Sequence, residues 1–241
     1  MALAAAARVD IAADPRLIVP LDLPTRAEAE AMIERLGDAV SFYKIGLELL
    51  ATEGTSLGRD LRRRGRQVFA DWKLHDIGAT VQRAVAAIAA SEACDVVNVH
   101  AEPQVLAAAV RGRGSSPMKL LGVTVLTSLS GQDLGEIGYA FTPPQLVERR
   151  IRQCIDAGMD GVVASPLEAR LARQIGGPDF LVVTPGVRPD WSAKNDQARA
   201  ATPLDALKAG ASHVVCGRPI TAANDPHAAA LRVAAEMAQA G

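Results

Sequence analysis

Short runs of apolar and β-branched residues recur along the chain, each closing on polar residues: Leu17 to Asp22, Val40 to Gly46, Gln67 to Leu74, Asp95 to His100, Lys119 to Thr127, Gly161 to Ser165, Phe180 to Gly186 and His213 to Arg218. Between successive runs the apolar positions change to a spacing of three and four, the period of a helix with one buried face. The pattern predicts eight strands alternating with helices. Two of the helices carry their own boundaries. Thr25 followed by Glu28 reads as a capping box opening a helix to Leu36 that stops at Gly37. Pro143 supplies the first turn of another, which runs to Ala157 and stops at Gly158.

Strand and helix alternation makes parallel strands, and parallel strands covered on both faces read as continuous apolar runs. Eight of them predict an α/β fold of the (β/α)8 TIM-barrel type, which commonly occupies about 250 residues as one domain. The 241 residues are therefore read as a single domain, 1–241, in which the Ala-rich residues 1–15 form an extension ahead of the barrel. The rival is an open doubly wound sheet, whose usual mark is a Gly-x-Gly-x-x-Gly turn after the first strand. Here that strand runs instead into Leu21-Asp22-Leu23-Pro24, and no Pro-, Gly- or Ser-rich linker divides the chain.

Composition narrows the partners. With 26 Lys and Arg against 27 Asp and Glu, the formal net charge is -1. No global positive field draws nucleic acid or an anionic membrane, so an anionic ligand has to be held by local charges. No apolar run reaches the ~18 residues of a membrane span. Cys94, Cys154 and Cys216 are odd in number and lie far apart, a reduced, cytoplasmic usage. The N-terminal Ala run lacks a preceding basic stretch and does not read as a secretory leader.

In an eight-stranded barrel the chemistry collects at the C-terminal ends of the strands. Those ends are rich here: Asp22, Lys44, Asp71-Trp72-Lys73-Leu74-His75-Asp76, Asn98-Val99-His100, Thr127 with Ser128 and Ser130, Pro185-Gly186-Val187-Arg188, and Gly217-Arg218. Lys44, Asp71 and Lys73 lie inside apolar runs, where a lone charge is costly. Asp71 and Lys73 are two apart on a strand and so share a face, with Lys44 arriving from the neighbouring strand and Asp76 opening the next loop. The four are expected to alternate as Lys44, Asp71, Lys73, Asp76, each carboxylate keeping its neighbouring ammonium protonated. Buried ion pairs often stabilise no better than apolar packing, so such an array reads as an electrostatic device. His75 and His100 are expected to be structural: His75 falls on the opposite strand face, and His100 lacks a second ligand at metal spacing.

These residues also carry a resemblance. LDLP at 21–24, FYKIG at 42–46, DWKLHDIGATV at 71–81, VNVHA at 97–101, TVLTS at 124–128, TPGVRP at 184–189, NDQ at 195–197 and VVCGRPI at 214–220 resemble the orotidine 5'-phosphate decarboxylases of the bacterial type over nearly the whole chain. The resemblance implies conversion of orotidine 5'-phosphate to uridine 5'-phosphate with loss of CO2, the last step of pyrimidine nucleotide synthesis. It implies neither a metal nor an organic cofactor. It makes Lys73 the proton donor to C6, Asp71 the neighbour of the departing carboxylate, and Lys44 and Asp22 the contacts to the ribose. It makes Asp76, Ile77 and Thr80 residues that reach into the site of a second subunit, and hence the protein a homodimer. Arg188, Gln197, Gly217 and Arg218 are implied to grip the phosphate, with the polar stretch RPDWSAKNDQ as a lid. Thr127, Ser128 or Ser130 would meet the pyrimidine edge. One departure is Gly78, where the family usually has Pro, which is expected to loosen the start of the following helix.

Two other readings compete. Metal-dependent sugar-phosphate decarboxylases and synthases share D-x-K-x-x-D but need an acidic residue on the second strand to help hold magnesium, and Lys44 would repel that ion. A catalytically silent nucleotide-binding barrel would not need the complete charge array and both phosphate arginines.

Overall fold

The structure, a computed structural model, describes residues 13–192 and 201–240. In chain order its elements are β1 (Leu17–Pro20), α1 (Arg26–Leu36), β2 (Phe42–Ile45), α2 (Leu47–Leu50), α3 (Gly54–Arg63), β3 (Gln67–Leu74), α4 (Gly78–Ser91), β4 (Val96–His100), α5 (Pro103–Arg113) and β5 (Lys119–Val123). There follow α6 (Gly131–Ile137), α7 (Pro143–Ala157), β6 (Gly161–Val163), α8 (Ala169–Gly176), β7 (Leu181–Pro185), α9 (Pro203–Lys208), β8 (His213–Val215), α10 (Arg218–Thr221) and α11 (Pro226–Met237). Each strand pairs in parallel with the next, and β8 pairs with β1, so the sheet closes into a barrel.

Both predicted helix boundaries are present. Thr25 and Glu28 cap each other reciprocally at the start of α1, and α7 begins at Pro143 and stops at a left-handed Gly158. The helix start at Gly78 takes no side-chain cap from Ile77. Asp14, within the stretch read as an extension, accepts a hydrogen bond from the Arg16 N–H and pairs with its guanidinium.

The strands are shorter at their C-terminal ends than the apolar runs predict. β1 stops at Pro20 rather than Asp22, β5 at Val123 rather than Thr127, and β8 at Val215 rather than Arg218. Beyond these points the ladder continues for single bonds, such as the Leu21 N–H to the Lys44 carbonyl and the Cys216 N–H to the Ile18 carbonyl, before the chain leaves for the helix layer. The polar residues of the mouth therefore sit mainly on the first residues of the loops.

Alternation sorts the strand residues into two cores. Ile18, Phe42, Phe69, Val96, Leu121 and Val215 point inward and fill the barrel. Their neighbours Val19, Tyr43, Val68, Val97, Leu120 and Val214 point outward and pack beneath the helices. At the N-terminal rim, the residues preceding β4, β6 and β8 each tie down the strand before them. Asp95 accepts the Val68 N–H, Asp160 the Leu120 N–H and Ser212 the Val182 N–H, at 2.8, 2.9 and 2.8 Å. Arg62 pairs with Asp95 and Lys119 with Asp160, so these half-buried carboxylates are charge-compensated. This rim is a stabilising closure.

Helix α7 packs tightly on the sheet at Gly122, where a Cβ would lie 2.2 Å from Cys154 Sγ. Gly122→Ala is expected to destabilise the fold by about 1–3 kcal/mol through overpacking. With Cys154→Ala, which removes the sulfur, a double-mutant cycle in urea should show a coupling of about 1 kcal/mol or more. Strict additivity would contradict the close approach.

Candidate active site

Above the apolar filling of the barrel the inward positions turn polar. Two residues on from Phe42, Phe69 and Val96 stand Lys44, Asp71 and Asn98 on β2, β3 and β4. Lys44 Nζ donates to Asp22 Oδ1 at 2.9 Å and lies 3.2 Å from Asp71 Oδ2. Lys73 Nζ donates to Asp71 Oδ1 at 2.6 Å, and Asn98 Nδ2 donates to the same oxygen at 2.7 Å. Burial by itself pushes the Asp71 carboxyl upward. The Lys44 and Lys73 charges and the hydrogen bonds from Lys73 and Asn98 together outweigh it, and hold the group below the usual carboxylate range.

The array within one chain thus runs Asp22, Lys44, Asp71, Lys73, and the expected fourth member, Asp76, lies outside it. Asp76 is exposed at the start of the loop after β3, where its carboxylate accepts the Ile77 N–H at 2.6 Å. The reason is local backbone geometry. Ala70 pairs with Val97 and Leu74 with Val99, so Asp71, Trp72 and Lys73 all stand opposite Asn98. The chain absorbs the excess by a left-handed turn at Lys73, φ 48°, which costs a residue with a Cβ roughly 1–2 kcal/mol. Lys73 still meets Asp71, through a distorted strand rather than the regular alternation expected.

Gly46 makes room for the array. A Cβ at this position would lie 2.5 Å from Asp22 Oδ1 and 3.3 Å from Lys44 Nζ.

Two cavities meet at the charges. One, of about 360 Å³, is lined by Asp22, Lys44 and Asp71 and by Arg188, Gly217 and Arg218 from the loops after β7 and β8. The other, of about 200 Å³, shares Lys44 and Asp71, adds Lys73 and Thr127, and is walled by Phe69, Val123 and Val125. A cationic chamber and an apolar chamber therefore adjoin at one largely buried carboxylate, Asp71. Ser130 is engaged elsewhere: it is the N-cap of α6, exchanging hydrogen bonds with Asp133. Exposed Ser128 lines neither cavity. Ile77 and Thr80 also stand apart from both, Ile77 largely exposed. Residues 193–197 of the 188–197 stretch, Gln197 among them, lie outside the described residues; the Arg188 N–H donates to the Ala201 carbonyl.

His75 and His100 lie together at the ends of β3 and β4. His75 Nε2 lies 3.6 Å from Glu102 Oε2, and its ring packs 5.1 Å from that of His100. Burial holds His100 below the ordinary imidazole range, against the opposing pull of Glu102.

Sequence reasoning gave no role to Asn98, Gly46 or Arg150. Buried Arg150 on α7 donates to the Thr124 carbonyl, to Glu102 Oε1 at 2.7 Å and to the Tyr139 hydroxyl at 2.9 Å, tethering the start of the loop that carries Thr127. A signal existed for Asn98, a single amide in the apolar run VVNVH, and for Arg150, an arginine on the apolar face of a helix.

The model of the orotidine 5'-phosphate decarboxylase / HUMPS family matches residues 15–233. The chain belongs to this family. It is 70% identical over 228 residues to the orotidine 5'-phosphate decarboxylase of Caulobacter sp. (strain K31), covering 95% of this chain and 99% of the relative. It is 51% identical over 234 residues to that of Rhodopseudomonas palustris (strain BisB5), covering 97% of this chain and 99% of the relative. Among solved structures it resembles the orotidine 5'-phosphate decarboxylase from Lactobacillus acidophilus, with TM-score 0.81 and 36% identity over 93% of this chain and 99% of that one. The closed barrel is thus an architecture this chain shares with a solved decarboxylase.

Because the folded Asp71 carboxyl lies below its unfolded value of 3.8, the stability its ionised form contributes is present above that value and lost as pH falls toward the folded one. Asp71→Asn lacks this contribution. Urea denaturation from about pH 5 to about pH 3 should show a shallower loss of stability in the variant than in the parent; parallel curves would mean that Asp71 is not held down in the folded state.

Proposed function

We propose that the barrel mouth converts orotidine 5'-phosphate to uridine 5'-phosphate and CO2, with Lys73 delivering the proton that replaces the carboxylate. The enzyme is a carboxy-lyase of pyrimidine nucleotide synthesis. The observation that carries this reading is the placement of Asp71 between two ammonium groups where an apolar and a cationic chamber meet. Loss of CO2 leaves the electrons of the broken bond on C6 of the pyrimidine, where no carbonyl can take them up. Catalysis then depends on fixed charge held where the anion develops. The Lys73 ammonium faces that position, its proton passes to C6, and the resulting amine regains a proton from water. Asp71 places negative charge beside the substrate carboxylate and is relieved as that charge shifts to C6, toward the Lys73 ammonium, and neutral CO2 leaves.

The other residues divide by chamber. Arg188, Gly217 and Arg218, with Gln197, hold the phosphate, Arg supplying a forked pair of donors. Asp22 and Lys44 reach the ribose hydroxyls. Thr127 in the apolar chamber meets the pyrimidine edge, a reading supported by the engagement of Ser130 in its helix cap. Lys44 also favours a metal-free reaction over the magnesium-dependent chemistry of sugar-phosphate relatives. An ammonium 2.9 Å from Asp22 and 3.2 Å from Asp71 occupies the acidic neighbourhood a dication would need.

The whole chain acts as one barrel domain, in the cytoplasm, and pairs as a homodimer. Three buried free thiols support the reducing compartment, and among the described residues no helix is long and apolar enough to cross a membrane. The dimer reading is supported by Asp76 and Ile77, a carboxylate and a large apolar side chain exposed next to each other beside the mouth and off its cavities.

With excess EDTA, purified protein should still convert orotidine 5'-phosphate to uridine 5'-phosphate, followed by ultraviolet absorbance; loss of activity on chelation would return the reading to the metal-dependent relatives. Lys73→Ala should abolish turnover while leaving uridine 5'-phosphate affinity within about tenfold, and equal loss of both would make Lys73 structural. Mixing Lys73→Ala with Asp76→Ala protein under subunit exchange should restore up to about a quarter of parental activity, since half the dimers would then carry one intact site of two. No restoration despite demonstrated exchange would place Asp76 in its own chain's site.

A further inference from the structure

Among the described residues, Asn98 lies on β4 at the point where β3 and β4 slip out of register. Three residues of β3, Asp71, Trp72 and Lys73, face it alone, because the neighbouring pairs are Ala70 with Val97 and Leu74 with Val99. A bulge of this kind leaves backbone groups without their ladder partners. The Asn98 side chain, wholly buried, takes up that deficit. Its Oδ1 accepts the Lys73 N–H at 2.8 Å, and its Nδ2 donates to Asp71 Oδ1 at 2.7 Å. The two bonds fix the orientation of the amide, since a flip would set oxygen against carboxylate and NH2 against N–H. Asp71 Oδ1 is also the oxygen that receives Lys73 Nζ, so Asn98 holds both the backbone of Lys73 and the acceptor of its ammonium.

We propose that Asn98 is a positioning residue for the decarboxylation: its amide locks the left-handed turn at Lys73 and the Asp71 carboxylate together, and so sets where the Lys73 ammonium points. The inference rests on the role proposed for Lys73, but concerns a residue that lines neither cavity and so acts through Lys73 and Asp71. The position needs one donor and one acceptor about 2 Å apart on a rigid planar group, which at neutral pH only an amide of this length provides.

Asn98→Ser and Asn98→Asp test it. In each, kcat should fall by about 100-fold, the scale of a misplacement of about 1 Å, while uridine 5'-phosphate affinity stays within about threefold. The Asn98→Asp variant adds a readout that a merely structural role would not move. As a carboxylate the new side chain still accepts the Lys73 N–H but repels Asp71; once protonated it donates to Asp71 and reproduces the amide. The kcat of this variant relative to the parent should therefore rise as pH falls from about 8 to about 6, by up to about tenfold per unit.

The charged and titratable groups around position 98 are Asp71, Lys73 and His75 from β3 and its loop, Lys44 from β2 with Asp22 behind it, and His100 and Glu102 beyond it, with Arg150 on Glu102. β5 carries its one charged residue, Lys119, at the far rim, paired with Asp160. The parent contains all of these, so its own profile is the control. Variants within threefold of the parental kcat, or an Asn98→Asp profile parallel to the parent's, would overturn the inference. If Asn98→Ser does not fold, the near-isosteric Asn98→Asp variant alone decides. Failure of the parent to decarboxylate would instead overturn the proposed function, before any variant is compared.

Discussion

A carboxylate buried at the mouth of an apolar barrel can remain ionised only if cations and hydrogen-bond donors replace the water it has lost. Asp71 meets this condition with Lys44 on one oxygen and Lys73 and Asn98 on the other. The arrangement draws on three adjacent strands and on Asp22 beyond a fourth, so it exists only in the closed sheet. It also dictates small features around it. Gly46 lacks a side chain where a Cβ would strike Asp22, and Lys73 adopts a backbone conformation that residues with a Cβ avoid. A fold selected for stability alone would gain as much from apolar packing in this layer.

The two ends of the barrel divide stability from chemistry. At the N-terminal rim Asp95, Asp160 and Ser212 each satisfy a backbone N–H of the preceding strand, so the polar residues there close the sheet. At the C-terminal mouth the polar side chains converge on one another and on cavities. The chamber that holds Lys73 is walled by Phe69, Val123 and Val125, and apolar walls strengthen the fixed charges that face them. The cationic chamber beside Arg188 and Arg218 lies at the other side of Asp71. In the proposed reaction, binding energy gained on the phosphate there holds the reacting ring in the apolar chamber, the general logic by which remote contacts raise a rate rather than only an affinity.

Support for the mouth extends outward in layers. Arg150 reaches from α7 to the Thr124 carbonyl and is itself held by Glu102 and the Tyr139 hydroxyl, so the loop leading to Thr127 is anchored to a helix. Asn98 does the same for β3 from the neighbouring strand. Both find their partners within the protein and are turned away from solvent, as expected of side chains that hold others in place.

What the linear sequence determined was whatever depends on period and on residue type. Apolar runs of strand length alternating with helical spacing specified the barrel, and the residue types at the run ends singled out Lys44, Asp71, Lys73, Arg188 and Arg218, which the structure brings to the two cavities at the mouth. Local capping chemistry set the ends of α1 and α7 because it involves residues three apart. Register and bulges depend instead on how two strands separated by about one helix settle against each other. The sequence therefore carried the Asp71–Lys73 pair but not the left-handed turn that delivers it, nor the displacement of Asp76 from the array, nor the engagement of Ser130 by Asp133. Asn98 showed only as an amide among valines. Its meaning came from tertiary structure, because a side chain that repairs a gap between strands has no role until both strands are in place.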